Sequence, residues 1–212
     1  MARRAYAAED KDARRQAILK AAGDLFVAGD GELPSVAQIA FAARLAKGTV
    51  YLYFRTKGAI FASILQDGWG EVIGDLERTF QPADGAGADK VAAFLSSYVD
   101  HVERHPELLQ LDSLGHGVLE RNLEAETLLA FKRTLLDRLT AGAMVLEGAL
   151  GLSPGRGLQL LTRTYAMTRG LWQSFDHSQH PVGQPLKPLC SGFGTELLDA
   201  LSEYWRGALA TP

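Results

Sequence analysis

The stretch that decides the fold reads Ser35-Val-Ala-Gln-Ile-Ala-Phe-Ala-Ala-Arg-Leu-Ala-Lys-Gly-Thr-Val-Tyr-Leu-Tyr-Phe-Arg-Thr-Lys57. Apolar residues recur in it at helical spacing, on either side of a tight link at Arg44-Leu45. Ser35 belongs to the residue types that cap a helix start. The pattern predicts two short amphipathic helices, which together make a helix-turn-helix whose second helix enters the DNA major groove. The expected buried residues are Ile39, Ala40, Ala43, Leu45, Val50 and Phe54.

Burial of that apolar side turns the other side of the second helix outward. It carries Lys47 and Tyr51, which are four residues apart and therefore neighbours on the helix surface. Lysine can donate to guanine O6 and N7, and Gly48 lets the backbone approach DNA closely. Free backbone N–H groups at the helix start favour nearby phosphates. Tyr53 and Lys57 are suitable phosphate donors; the alternative is that Tyr51 and Tyr53 only pack the small domain.

The run from Ala46 to Lys57, preceded by Ile39-Ala40 and by a helix ending in Leu25-Phe26, resembles the DNA-binding domain of the TetR family. In that family the twelve positions that correspond to Ala46 through Lys57 carry, in order, a small residue, any residue, Gly, Thr, Leu or Val, Tyr, any residue, Tyr or His, Phe, two residues of any type, and Lys. The resemblance is specific over residues 11–65 and weaker beyond them. It implies that Lys47, Gly48 and Tyr51 face bases. It implies phosphate contacts for Ser35, Thr49, Tyr53 and Lys57.

The resemblance also implies a transcriptional regulator, expected to be a repressor. Such a protein binds double-stranded, palindromic operator DNA as a homodimer and is released by a small-molecule effector that is partly apolar. No cofactor is predicted. A regulator that needs no ligand and an all-helical enzyme are the alternatives; the sequence contains no catalytic motif that favours the enzyme, and no catalytic residue is predicted.

Two positions depart from the family pattern. Arg44 stands where the turn usually has glycine, so it must adopt a left-handed conformation at a cost of about 1 kcal/mol, unless the turn is remodelled. Ala46 replaces the commoner Ser or Thr and so forfeits a helix cap worth about 1 kcal/mol.

The whole chain predicts an all-α fold of about nine helices. A three-helix DNA-binding domain (1–56) precedes an effector-binding and dimerisation domain (57–212). The first helix is expected over about 11–28, and the third over about 46–54. The later helices are expected over about 57–80, 91–105, 106–119, 123–150 (capped by Asn122), 154–177 and 189–209.

Charge is distributed unevenly along the chain. Residues 1–60 hold ten Lys/Arg and six Asp/Glu, a balance of +4, whereas the remainder holds twelve and nineteen, a balance of −7. This asymmetry is typical of a basic DNA-facing module on an acidic body, although an uneven spread of surface charge is the simpler alternative. The basic residues Arg3, Arg4, Lys11, Arg14 and Arg15 form either a DNA-contacting arm or a solvated one.

Composition narrows the class further. No apolar run is long enough for a transmembrane helix, and no partner membrane is expected. The N-terminal residues lack a secretory signal. Cys190 is the single cysteine, which excludes an intramolecular disulfide and fits a reducing cytoplasm.

Apolar residues of the C-terminal helices form two predicted groups. The first would line an effector cavity between helices, with core packing as the alternative: Leu111, Phe131, Leu135, Met167, Leu171, Trp172 and Phe175. The last two helices, over about 154–177 and 189–209, are expected to bury an intramolecular core and to form a symmetric four-helix dimer interface. The second group comprises the dimer-interface residues predicted on the last helix: Leu197, Leu201 and Trp205. His101 and His105 share a helical face and could hold a metal with His116, but solvent-facing histidines are the favoured interpretation, and no metal is predicted.

Overall fold

The computed structural model describes residues 2–29, 32–81, 87–113, 123–175 and 192–210. These ranges contain helices and no strand, so the predicted all-α class is confirmed. The helices are α1 (Ala2–Ala28), α2 (Val36–Ala42), α3 (Lys47–Tyr53), α4 (Lys57–Thr79), α5 (Gly87–Arg104), α6 (Pro106–Ser113), α7 (Ala125–Leu150), α8 (Arg156–Ser174) and α9 (Phe193–Ala210).

Several helix starts differ from the prediction; helix α5, for example, begins at Gly87 rather than near residue 91. Helix α1 begins at Ala2 rather than near residue 11, since residues 2–10 are rich in the strong helix formers alanine and arginine although they lack an apolar stripe. Helix α8 begins after Gly155, whose φ of 84° places the residue before the helix in the left-handed region. The predicted cap Asn122, the histidines His116, His177 and His180, and Cys190 lie outside the described residues.

The chain divides into two compact units. The first comprises Met1–Gly68 with Pro106–Arg133, and the second comprises Trp69–His105 with Thr134–Pro212. In the first unit, α1 packs against α2 and α6, and α2 packs against α3. Phe26 and Phe61 meet edge to face in its core, with ring centroids 6.0 Å apart.

The second unit is built around α9, which packs against α5 and α8. Helix α7 approaches α8 closely at Gly157, because a β-carbon there would fall on the carbonyl oxygen of Ala143. The Gly157 amide donates to the Glu147 carboxylate at 3.0 Å. The absence of a side chain at Gly157 therefore sets the spacing of these two helices.

A buried polar row crosses the core of the second unit. The Trp205 indole N–H donates to the Thr164 hydroxyl at 2.8 Å, and Thr164 donates to the carbonyl of Leu160. Thr168 donates its hydroxyl hydrogen to the Thr164 carbonyl, so the Tyr98 hydroxyl is the donor in its 2.8 Å bond to Thr168. Each of the two buried threonine hydroxyls has hydrogen-bond partners, which offset the cost of removing these polar groups from water. The same bonds fix the register of α5, α8 and α9.

Candidate nucleic-acid interface

Helix α2 begins at a reciprocal cap. The amide of Gln38 donates to the Ser35 hydroxyl oxygen at 3.3 Å, and the amide of Ser35 donates to the Gln38 side-chain oxygen at 2.9 Å. This capping box satisfies two amides that the first turn would otherwise leave open. The predicted capping role of Ser35 is confirmed, and its side chain is exposed.

The turn between α2 and α3 depends on Arg44. Its φ is 56°, so of the two alternatives for this turn the left-handed conformation is the one that Arg44 adopts. The amide of Arg44 bonds to the Phe41 carbonyl at 3.1 Å, and the amide of Leu45 bonds to the Ala40 carbonyl at 2.9 Å. These are the two bonds of a Schellman motif, which ends a helix and reverses the chain.

Replacing Arg44 by glycine should raise the free energy of unfolding by up to about 1 kcal/mol, because glycine carries no steric penalty at positive φ. Urea denaturation at fixed protein concentration measures the change. Arg44→Ala is the matched control, since it removes the same side chain but keeps the β-carbon, and it should not stabilise the protein. Equal midpoints for the two variants would contradict this account of the turn.

Helix α3 has one buried and one exposed side. Val50 has no exposed surface and Phe54 is buried, as predicted. Ala46 precedes the helix with no side-chain cap bond, again as predicted. Lys47 and Gly48 are exposed and Tyr51 is 46% exposed, so these three predicted base-facing residues share the outer side.

Several side chains around α3 differ from the prediction or were missed by it. Thr49 and Tyr53 are half-buried, as are Ala43 and Leu45, which were expected in the core. Leu52 on α3 is 83% exposed and Phe41 on α2 is 87% exposed. Helical periodicity could have identified Leu52, since two residues from buried Val50 correspond to about 200° around the helix.

Arg15 contacts both Asp67 of α4 and Phe54, which follows α3, within the first unit. Its guanidinium pairs with the Asp67 carboxylate at 2.8 Å and lies 5.8 Å from the centroid of the Phe54 ring. Arg14 pairs with Asp10 on the surface of α1. The prediction that Arg15 belongs to a DNA-contacting or solvated arm is therefore wrong. The Arg15 guanidinium pairs with Asp67 and so links α1 to α4. The side chains of Arg3 and Arg4 lie outside the described part of the chain.

The start of α4 is tied to the loop before α2. The Lys57 ammonium donates to the carbonyl of Leu33 at 3.2 Å. The Thr56 hydroxyl accepts the amide of Ala59 at 3.1 Å and so caps the helix, a role that was not predicted from sequence although threonine is a favoured cap. Lys57 thus holds the helix-turn-helix in place, in addition to the phosphate contact predicted for it.

The residues predicted for an effector cavity are divided between the two units. Leu111 and Phe131 lie in the first unit, and the other five lie in the second. Trp172 and Phe175 both pack edge-on against Phe193, with centroids 5.1 and 6.0 Å from it. Leu111 and Trp172 are buried, whereas the remaining members are half-buried: Phe131, Leu135, Met167, Leu171 and Phe175.

The prediction that Leu197, Leu201 and Trp205 form the dimer interface is wrong. Leu197, Leu201 and Trp205 each have 0% exposed surface in the single chain, so they have no area to offer a second subunit. Trp205 contacts Phe94 of α5, with centroids 5.9 Å apart, and Thr164 of α8. These residues form the inner face of α9 and belong to the core of the second unit.

In the described ranges, no helix is both long and apolar enough to cross a membrane.

Solved structures of similar fold are transcriptional regulators. The fatty acid degradation regulator FadR from Bacillus halodurans superposes with a TM-score of 0.65 at 17% identity, over 93% of this chain and 95% of that one. FadR from Bacillus subtilis, solved in complex with stearoyl-CoA, gives 0.59 at 18%, over 89% and 95%. A TetR transcriptional regulator from Rhodococcus sp. RHA1 gives 0.58 at 18%, over 95% and 98%. Among curated proteins, no relative matches the sequence.

Two family models together match most of the chain. Residues 18–64 match the model described as "Bacterial regulatory proteins, tetR family", which spans the helix-turn-helix. Residues 66–212 match "Tetracyclin repressor-like, C-terminal domain". With its exposed recognition helix α3 and its helical C-terminal domain, the chain belongs to the TetR family and is a transcriptional regulator.

Proposed function

We propose that this regulator is a repressor that binds a palindromic operator as a homodimer and releases it when a small molecule binds. In this proposal residues 1–56 read DNA, and residues 57–212 bind the effector and dimerise. The outer side of α3 is the observation that carries the proposal. We also propose a cytoplasmic location, because a regulator of bacterial genes must reach DNA that lies in the cytoplasm.

The outer side of α3 has the chemistry of a base-reading surface. Lys47 supplies a donor for guanine, and Tyr51 stands beside it. Gly48 is exposed, and even a β-carbon added there would meet no neighbouring atom within 4 Å. Val50 anchors the opposite side in the core, so the reading residues are presented by a fixed backbone. Such rigidity supports sequence discrimination, because a mobile helix would lose conformational entropy on binding.

Phosphate contacts would hold α3 in register. Ser35 is exposed at the start of α2, and the half-buried Thr49 and Tyr53 flank the reading side. The Lys57 ammonium gives one of its three N–H bonds to Leu33, which leaves donors for a phosphate. Contacts of this kind position a protein on the duplex without selecting sequence.

Selection from a random duplex library should yield one palindromic sequence. Lys47→Ala or Tyr51→Ala should then reduce discrimination between that sequence and its point variants by about 1–3 kcal/mol. Lys57→Ala should weaken binding to all duplexes alike and lower the salt slope by about one. Lys20→Ala, which removes the same charge from the exposed surface of α1, is the control. Failure of the wild type to select any sequence at low salt would exclude the proposal.

The effector is proposed to bind within the second unit. The aromatic group of Trp172, Phe175 and Phe193 offers the apolar surface on which small-molecule sites depend. The stearoyl-CoA complex of Bacillus subtilis FadR supports a partly apolar ligand, since a chain of similar fold binds one.

Effector and operator should weaken each other's binding by the same factor, about 5–150-fold, because binding linkage is reciprocal. Calorimetric titration with stearoyl-CoA as the first probe, with and without operator, measures that factor. A duplex of equal length and scrambled sequence is the control. Equal affinities in both titrations would support the alternative of a regulator that this ligand class does not control.

A further inference from the structure

One side-chain cluster in the second unit serves neither DNA binding nor the core. It consists of Glu71 on α4, of His101 in the last turn of α5, and of His105, which directly follows that helix. One ligand atom from each residue lies within 4.8 Å of the other two. The His101 Nδ1 and the Glu71 carboxylate oxygen are 4.0 Å apart, and the imidazole centroids are separated by 4.7 Å.

The fold brings these three groups together by two routes. His101 and His105 are four residues apart, and the His105 amide donates to the His101 carbonyl at 3.0 Å, so helical geometry continues through His105. Both imidazoles therefore lie on one face of the helix. Glu71 comes from α4, thirty positions earlier in the sequence. Its neighbours Val72 and Ile73 are buried, which anchors the helix that presents the carboxylate.

The cluster lies at the edge of the unit. The side chain of His101 is only 13% exposed, whereas that of Glu71 is 68% exposed. The favoured expectation of solvent-facing histidines is thus wrong for His101. The third histidine considered from sequence, His116, lies outside the described residues; a carboxylate completes the set instead.

Two imidazoles and one carboxylate are the ligand set of a zinc site that keeps a coordination position open. Calcium and magnesium prefer oxygen ligands throughout. Ligand atoms around tetrahedral zinc are about 3.3 Å apart for metal–nitrogen bonds of about 2.0–2.1 Å. Rotation of the Glu71 side chain, which is 68% exposed, would bring its carboxylate closer to the imidazoles.

We propose that Glu71, His101 and His105 bind one divalent transition-metal ion of the zinc class, with the remaining position open to water or a small ligand. The ion would join α4 to α5 within the second unit. Because it binds the folded chain, it would also raise the unfolding temperature.

Zinc titration of the purified full-length protein without DNA, in competition with a chromophoric chelator, tests the site. The wild type should bind one ion per chain. Glu71→Gln should weaken binding at least about tenfold, since it removes an ionised ligand, and His101→Gln/His105→Gln should abolish stoichiometric binding. Cobalt in place of zinc should give the visible absorption of a nitrogen- and oxygen-ligated ion.

The matched control carries His116→Gln, His177→Gln, His180→Gln and Cys190→Ser, which removes every other histidine and the cysteine. It should bind zinc as the wild type does and show the same rise in unfolding temperature. The proposal is overturned if the wild type binds no ion, if Glu71→Gln binds as tightly as the wild type, or if binding is lost in the control. Since no DNA is present, each of these results is independent of operator recognition.

Discussion

Replacing Trp205 by alanine should lower the free energy of unfolding by about 3–5 kcal/mol, a large fraction of the stability of a typical domain. The indole is fully buried and packs 5.9 Å from the Phe94 ring between centroids. Alanine leaves a cavity there and also removes the N–H donor to the Thr164 hydroxyl. The loss therefore combines apolar burial with a buried hydrogen bond.

Urea denaturation at a fixed protein concentration measures this loss. Trp205→Phe retains most of the ring and should fall between the wild type and Trp205→Ala, since it lacks the donor to Thr164. Arg206→Ala, at the next and exposed position, should stay within about 0.5 kcal/mol of the wild type. A Trp205→Ala variant as stable as Arg206→Ala would mean that α9 does not pack in this way.

Local features of the helix-turn-helix could be predicted from sequence. Ser35 caps α2, Arg44 takes a left-handed conformation, and Val50 faces the core. Each depends on residues within about four positions, so capping preference, turn geometry and helical spacing suffice. The family motif then adds the identity of the recognition helix.

Contacts between distant positions could not be predicted in the same way. Arg15 meets Asp67 across 52 positions, and Tyr98 meets Thr168 across 70. A sequence pattern reports that a residue is charged or polar but does not name its partner, because the partner depends on how helices pack. The Glu71 carboxylate beside His101 is another pair of this kind; the sequence offered only His116 as a third ligand, and no metal site was predicted.

The dimer residues illustrate the same limit within one helix. Leu197, Leu201 and Trp205 recur at intervals of four, which identifies an apolar face. That face packs within the unit, so a dimer through α9 must use different residues. Leu198, Ser202 and Leu209 form a half-buried row beside it, since intervals of four and eleven residues return to nearly the same side of a helix. We infer that, in the proposed homodimer, this row packs against the same row of the second subunit.

Leu198→Glu should yield a monomer, because a carboxylate in an apolar interface loses its hydration. Operator affinity should fall by about 10²–10⁴-fold, since two linked half-site contacts become one; the half-sites of the operator are expected about 34–36 Å apart or at a multiple of that spacing. Sedimentation at micromolar concentration and operator titration measure the two effects.

Leu209→Glu provides a second test should Leu198→Glu fold poorly by circular dichroism. Glu203→Lys, an exposed position about 140° around the helix from Leu198, should remain dimeric. If both leucine variants stay dimeric, the interface lies elsewhere, and a monomeric wild type would exclude the dimer itself.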